Sequence, residues 1–547
     1  METLSPLRKW ATLLVLTLAL AIIIIDTTVL NVALATIIRE FQTTIQNIQW
    51  VITAYSLTLA ALTITGGRLG DFFGRKKMFV IGAIIFAIGS TITSFSHNVP
   101  TMIWGEAIIE GIGAALMAPA TASLLVSTFQ GRERAIAFGI WGGIAAAAAA
   151  IGPIIGGYFT TNYSWRWAFR INIFVALLLV VGSMIIREAR DTEEKPSFDF
   201  LGVILSSLGL LGLVFGVIEA SQYGWWFAKA VFSLGSHNLN FGRFSIVPFS
   251  LLIGAIFLSL FFFWQAKLER QGKTPLLSLK LFKNRQFTSG GLTTLITSLG
   301  LSGLIFTVPI FLQAVRRLDA FHTGLALLPM SLTLLVVAPV SGFLSHRIKP
   351  RTLIQIGLFL TVLAFFVLRQ TVAVEATATT FIPGLMLFGF GMGMVFSQVN
   401  NITLSAVSVQ QAGEAAGVSN TLRQVGSTLG AAIIGSVMLT ALALNMTSGI
   451  KASSVIPTSL KPGLTQLAVA QTSNIEFGGG VDTSQPLPVA VKSELLAIGR
   501  QATVDADKRA FIFGALFAFL GLIVSFFLPN SQNIDQAESV AVKSKTA

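Results

Sequence analysis

Apolar residues run in long blocks along this chain, and polar residues fall mostly in the short breaks between them. Clear blocks occupy 13–25, 251–264 and 511–528. Blocks of about 20 apolar residues match the ~30 Å hydrocarbon core of a bilayer, because a helix rises about 1.5 Å per residue. The pattern predicts helices near 10–35, 49–67, 78–96, 101–126, 135–160, 168–187, 200–219, 245–264, 287–312, 322–343, 352–369, 380–404, 415–443 and 510–528. Turn formers separate them: Gly66-Gly67 precedes a basic loop, Asn98 and Pro100 open the fourth helix, and Lys195-Pro196 precedes the seventh. The expected fold is an all-α polytopic membrane protein with 14 transmembrane helices.

Composition narrows the functional classes. Only 11% of the 547 residues are charged, against about 25% in a soluble globular chain. The formal charge of +13 is read as an orientation signal, not as a sign of nucleic-acid binding. With the N-terminus inside, 23 of the 37 basic residues fall on the inner side, Arg423 among them. Both termini are therefore expected in the cytoplasm, with the chain in the cell membrane. Arg8-Lys9 and the apolar run after them resemble a signal peptide, but no small-residue cleavage site follows, so the first helix is read as an uncleaved anchor. The chain has no cysteine, and its four histidines show no ligand spacing, so neither a metal nor a cofactor is expected. The longest stretch outside the predicted helices, 445–509, is too short for a catalytic domain, and an enzyme is not expected. That stretch contains Gly478–Gly480, Pro486, Pro488 and an amphipathic run from 489 to 502, and reads as a long outer loop. Trp225 and Trp226 fit an interfacial aromatic belt.

An internal repeat organises the helices. Gly66-Gly67-Arg68-Leu69-Gly70-Asp71-Phe72-Phe73-Gly74-Arg75-Lys76-Lys77 follows the second, and Gly342-Phe343-Leu344-Ser345-His346-Arg347-Ile348-Lys349-Pro350-Arg351 follows the tenth. Two copies eight helices apart imply two pseudo-symmetric six-helix bundles, 1–190 and 287–547, with two inserted helices and a linker in 191–286. Repeated halves with a binding site between them are the usual plan of secondary transporters. His346 stands where the second copy would match Asp71.

The first copy resembles the loop 2–3 signature of the major facilitator superfamily. Further segments resemble its fourteen-span drug:proton antiporter branch. They are Asp26 to Leu34, Trp50-Val51-Ile52-Thr53-Ala54-Tyr55, and Gly139 with Gly152-Pro153-Ile154-Ile155-Gly156-Gly157. Ser164-Trp165-Arg166-Trp167 and the run from Gly417 through Asn420 and Arg423 to Gly426 complete the set. The resemblance implies proton coupling at Asp26, a conformational latch at Gly67, Asp71 and Arg75, and an exporter motif at Gly139, Gly152, Pro153, Gly156 and Gly157. Two positions depart from the family. Ala148 replaces a glycine, and the arginine expected before Gly111 is absent, its place held by Glu106 and Ala107.

Three acidic residues are placed inside helices: Asp26, Glu106 and Glu110. A carboxylate there costs about 2.5–3.5 kcal/mol on insertion scales, so it is expected to face a cavity or a partner. Asp26 lies in the outer half by its distance along the first helix. Glu106 and Glu110, four apart, share one face of a regular helix. They form a further proton or cation site, or pair with a basic residue such as Arg170. Candidate cavity residues are Tyr55, Trp141, Phe306, Met392, Met394, Phe396, Gln398 and Asn400, because methionine and aromatic side chains adapt to varied ligands. The expected function is proton-coupled export of amphipathic or cationic drugs, with small molecules, protons and the bilayer as partners and a monomer as the unit. Export of a lipid or metabolite with different coupling stays open, as does a non-transporting membrane sensor or scaffold.

Overall fold

The computed structural model describes residues 5–529 apart from 44, 189–198, 230, 235–236, 240, 346, 409–410 and 476–486. His346, Gly478–Gly480 and Pro486 lie outside the described residues. The helices are α1 (Pro6–Phe41), α2 (Ile45–Phe73), α3 (Arg75–Ser94), α4 (Val99–Thr128), α5 (Gly131–Asn162), α6 (Arg166–Gly182) and α7 (Phe200–Tyr223). They continue as α8 (Ile246–Arg270), α9 (Arg285–Ala314), α10 (Ala320–Leu344), α11 (Pro350–Thr371), α12 (Ile382–Ser405), α13 (Ala412–Ala452) and α14 (Val489–Ser525). Thirteen of them are long and apolar enough to cross a membrane. The other is α5, whose 32 residues correspond to about 48 Å of helix. A short antiparallel hairpin, β1 (Phe232–Leu234) and β2 (His237–Leu239), joins α7 to α8, with Phe232 opposite Leu239.

Small residues decide which helices approach most closely. Between helices in lipid, packing replaces the hydrophobic effect as the attractive force, so backbones must come near. α5 is the central example. Gly139 lies against the carbonyl of Ala338, Gly143 against Leu335, and Gly157 against Phe321, all on α10. Gly152 and Gly156 meet Thr28 and Val29 of α1 on another face. The inserted pair α7 and α8 packs on itself through Gly212 and Gly254, and α7 lies on α2, where the Ser207 hydroxyl donates to the Ala61 carbonyl at 3.2 Å.

The segment 445–509 is mostly helix, which corrects its reading as a loop. α13 runs on to Ala452, a helix spans Lys461–Ile475, and α14 already begins at Val489. Met446, Ile450, Leu464, Val491 and Leu495 form one buried cluster. Removing such side chains from water contributes roughly 1.5–3 kcal/mol per large aliphatic side chain. That is enough to hold the amphipathic ends of two long helices together.

At the far end of α1, Glu40 is clamped by the Ser164–Trp167 segment. It accepts from the Trp165 indole at 2.8 Å and from the Arg166 guanidinium at 2.5 Å, while Arg166 also donates to the Ser96 carbonyl at 2.7 Å. Burial alone would raise the Glu40 carboxyl, but these hydrogen bonds and the Arg166 charge outweigh it and hold it below the usual carboxylate range. A depressed carboxyl contributes stability above its unfolded value and loses it as pH falls through the folded one. Glu40→Gln is therefore expected to lower the melting temperature at neutral pH and to flatten the acid side of the stability profile, measured by thermal unfolding in detergent from pH 3 to 8. An identical acid limb in variant and wild type contradicts the clamp.

Candidate functional site

The three acidic residues inside the bundle come together. One carboxylate oxygen from each of Asp26, Glu106 and Glu110 lies within 4.8 Å of the others, and all three side chains are buried. α4 brings this about by departing from α-geometry, since residues Ile103–Glu110 form a π-helical turn. The two glutamates are thus not on one face of a regular helix, as their spacing implied. π-turns rotate the following residues and recur at functional sites. Gly89 of α3 and Gly105 of α4 leave room for it: a Cβ at 89 would sit 2.7 Å from both the Glu110 Cβ and the Gly105 carbonyl.

Asn172 of α6 ties the cluster together. Its amide donates to Asp26 Oδ1 at 2.7 Å and to Glu110 Oε1 at 3.0 Å, and the Ser90 hydroxyl also donates to Glu110. Asp26 Oδ2, Glu106 Oε2 and Glu110 Oε2 find no partner among the described residues. The Tyr55 hydroxyl, also buried and unpartnered, lies within electrostatic reach of all three. Arg170 does not neutralise them, because its guanidinium stacks on Phe95 and Trp167 instead. At 4.8 Å and an effective dielectric of 20, each pair of full charges repels by about 3.5 kcal/mol. Three like charges this close repel one another, so the arrangement is one that could accommodate protons or a single cation among its oxygens. Asn172 and Ser90 were missed in the sequence. The available signal was an amide within the apolar run of α6.

The last turns of α2, which run as helix to Phe73 where the sequence suggested a basic loop after Gly67, close on α13. Gly67 lies against the Gly413 carbonyl, and a Cβ added at Gly417 would sit 3.2 Å from the Ile64 Cα. Asp71 accepts from the Gly413 and Glu414 amides at 3.1 and 2.8 Å, which places a carboxylate on the positive end of α13. Arg75 holds Asp71 from its own side at 2.9 Å. Glu414 in turn faces Arg68 at 3.7 Å and accepts from the Ser278 amide. At the same end, Arg134 of α5 donates to Asn401 of α12 at 3.3 Å. The α5 glycines described above line the α1 and α10 contacts, and Pro153 packs on Gly324 of α10.

The remaining candidates scatter. Phe396 lies against Gly142, beside Trp141. Gln398 donates to the Ser341 carbonyl at 2.9 Å, and Asn400 to the Phe396 carbonyl of its own helix at 3.1 Å. Met392 belongs to the core formed with Phe365 and Phe388, Met394 packs with Val337 and Leu353, and Phe306 covers Gly435. A cavity of about 430 Å³ lies elsewhere, lined by Trp225 before β1, Ser436 and Thr440 of α13, and Arg509 and Phe513 of α14. Two further carboxylates are buried, Glu219 of α7 and Asp507 of α14; the second had been assigned to the outer loop. Arg423, counted among the inner-face charges although it falls within the expected 415–443 helix, sits eleven residues into α13.

Because the chain has no cysteine, the α2–α13 contact is directly testable. Ile64→Cys with Gly417→Cys places one thiol on each helix at this close approach. Oxidation should crosslink this pair in high yield, and adding Gly67→Val should lower the yield severalfold by forcing the backbones apart. An unchanged yield with valine at 67 contradicts the assigned contact.

The description "Major Facilitator Superfamily" belongs to the family model that matches residues 16–431. The multidrug efflux pump LfrA of Mycolicibacterium smegmatis is 29% identical over 506 residues, which cover 91% of this chain and 92% of that protein. The tetracenomycin C resistance and export protein of Streptomyces glaucescens is 29% identical over 432 residues, covering 79% and 76%. Among solved structures, the proton:xylose symporter XylE has a TM-score of 0.56 at 11% identity across 96% of each chain, a likeness of fold alone. With its two-fold loop motif, its membrane-spanning helices and a family match over most of its length, the chain belongs to the Major Facilitator Superfamily, a family of transporters.

Proposed function

We propose that the chain is a secondary active exporter that exchanges protons for amphipathic, often cationic, small molecules by alternating access. The observation that carries this reading is the buried cluster of Asp26, Glu106 and Glu110, which has no basic partner among the described residues. Such a cluster is stable with protons or with an organic cation, and the two compete for it. Relatives named for multidrug efflux and for antibiotic export support the direction and the class of cargo.

In the proposed cycle, the bundles 1–190 and 287–547 rock against each other around the α5–α10 contact, with α5 counted as a fourteenth membrane span. Gly67, Asp71 and Arg75 act as the latch. In the latched state Asp71 rests on the amides at the start of α13, and its release lets α2 and α13 part. Gly139, Gly152, Pro153, Gly156 and Gly157 keep α5 close to both of its neighbours during the motion. The orientation follows from the basic residues, with both termini in the cytoplasm and a monomer as the working unit. The missing fourth-span arginine favours a second reading with the same fold, export of a lipid or metabolite under different coupling.

The deciding measurement is transport of a cationic dye into proteoliposomes under an imposed pH gradient. Wild type should accumulate the dye, Asp26→Asn should abolish the gradient-driven component, and Glu106→Gln or Glu110→Gln should shift the pH profile by about one unit. Full flux in Asp26→Asn, or unchanged profiles in both glutamate variants, overturns the reading.

A further inference from the structure

Arg423 and Trp141 meet deep in the bundle and come from opposite halves. Arg423 is eleven residues into α13 and Trp141 ten residues into α5, each about 15 Å from the start of its helix. Both helices start at the end where Asp71 and Arg134 bridge the halves, so the pair lies near the middle of a ~30 Å hydrocarbon layer. The guanidinium carbon lies 5.8 Å from the indole centroid. One terminal nitrogen of Arg423 donates to Asn420 Oδ1 at 2.7 Å. No carboxylate pairs with it among the described residues. The Trp141 indole N–H is buried and has no acceptor among the described residues. Phe138 stands edge-on to Trp141 at 5.9 Å, and Phe396 lies against the neighbouring Gly142.

This corner therefore holds a half-buried cation and, beside aromatic faces, a buried indole N–H donor without an acceptor among the described residues. Buried donors without acceptors are costly, and a guanidinium has five N–H groups in a planar fork suited to a carboxylate. The carboxylate cluster on α1 and α4 has the opposite need. We propose that Arg423 and Trp141 form a recognition site for the anionic group of an aromatic substrate, a carboxylate or phenolate on a planar ring. The guanidinium and the indole N–H take the oxygens, and Phe138 and Phe396 flank the ring. The cargo thus includes aromatic acids and zwitterions, beyond the cations that the acidic cluster takes. This inference rests on the transport reading only for its meaning as cargo; the site is defined by binding alone.

The test uses 9-anthracenecarboxylate and its methyl ester as a matched pair, with equilibrium binding measured on the full chain in nanodiscs and corrected with empty discs. Wild type should bind the acid at least about tenfold tighter than the ester. Arg423→Gln should equalise the two, Arg423→Lys should keep part of the preference, and Trp141→Phe should weaken the acid severalfold while leaving the ester unchanged. Absence of acid preference in wild type overturns the proposal, as does a preference that survives Arg423→Gln. If Arg423→Gln does not fold, a full acid preference in both Arg423→Lys and Trp141→Phe overturns it equally. The dye-transport assay separates the two claims: failed dye transport with intact acid preference removes the proton-coupled cation export and leaves the site, and the converse removes the site alone.

Discussion

Acidic groups buried together, with no basic side chain paired to them among the described residues, are the constraint on which the rest of this structure depends. Asp26, Glu106 and Glu110 bring three acidic groups within 4.8 Å of one another inside an apolar bundle. Asn172 and Ser90 satisfy only part of them. Such an arrangement persists only if the surrounding helices pack well enough to carry its cost and if mobile positive charge can reach it. The π-turn in α4 and the glycines at 89 and 105 belong to the same constraint, because they let α3 and α4 approach where the acidic groups converge.

The second organising feature is close contact between helices far apart in the chain. α5 with α10, and α2 with α13, meet through glycines that leave backbone against side chain or backbone against backbone. Contacts of this kind involve few flexible side chains, so they can separate and re-form without large losses of side-chain entropy. Polar bridges at one end, Asp71 to the α13 amides and Arg134 to Asn401, add directional hydrogen bonds to that sliding surface. In the middle, Arg423 and Trp141 face each other across the same divide with opposite electrostatic character to the acidic cluster.

Helix positions were legible because a bilayer tolerates only long apolar segments with internally satisfied backbones. The glycine patterns were legible for the same reason, since few residues permit close approach in lipid. The extent of α13 and α14 was not. The amphipathic run from 489 resembles a surface helix in sequence, and only its burial against Met446 and Ile450 turns it into the start of a 37-residue helix. That extension also moved Asp507 from an assigned loop into a buried position.

From the sequence alone came the class of protein, the approximate helix positions, the repeat, the identity of three intramembrane acids and the glycines on which the helices cross. Each follows from composition or from spacing along one chain. Tertiary structure alone decided that Asp26 meets residues 80 and more positions away, that Asn172 joins them, that Glu106 and Glu110 sit on a π-turn, and that Arg423 lies inside the bundle against Trp141. The physical reason is that apolar periodicity reports how each helix relates to lipid and core. The partner of a buried polar group depends instead on which helices become neighbours, and on how a π-turn rotates one side chain past another.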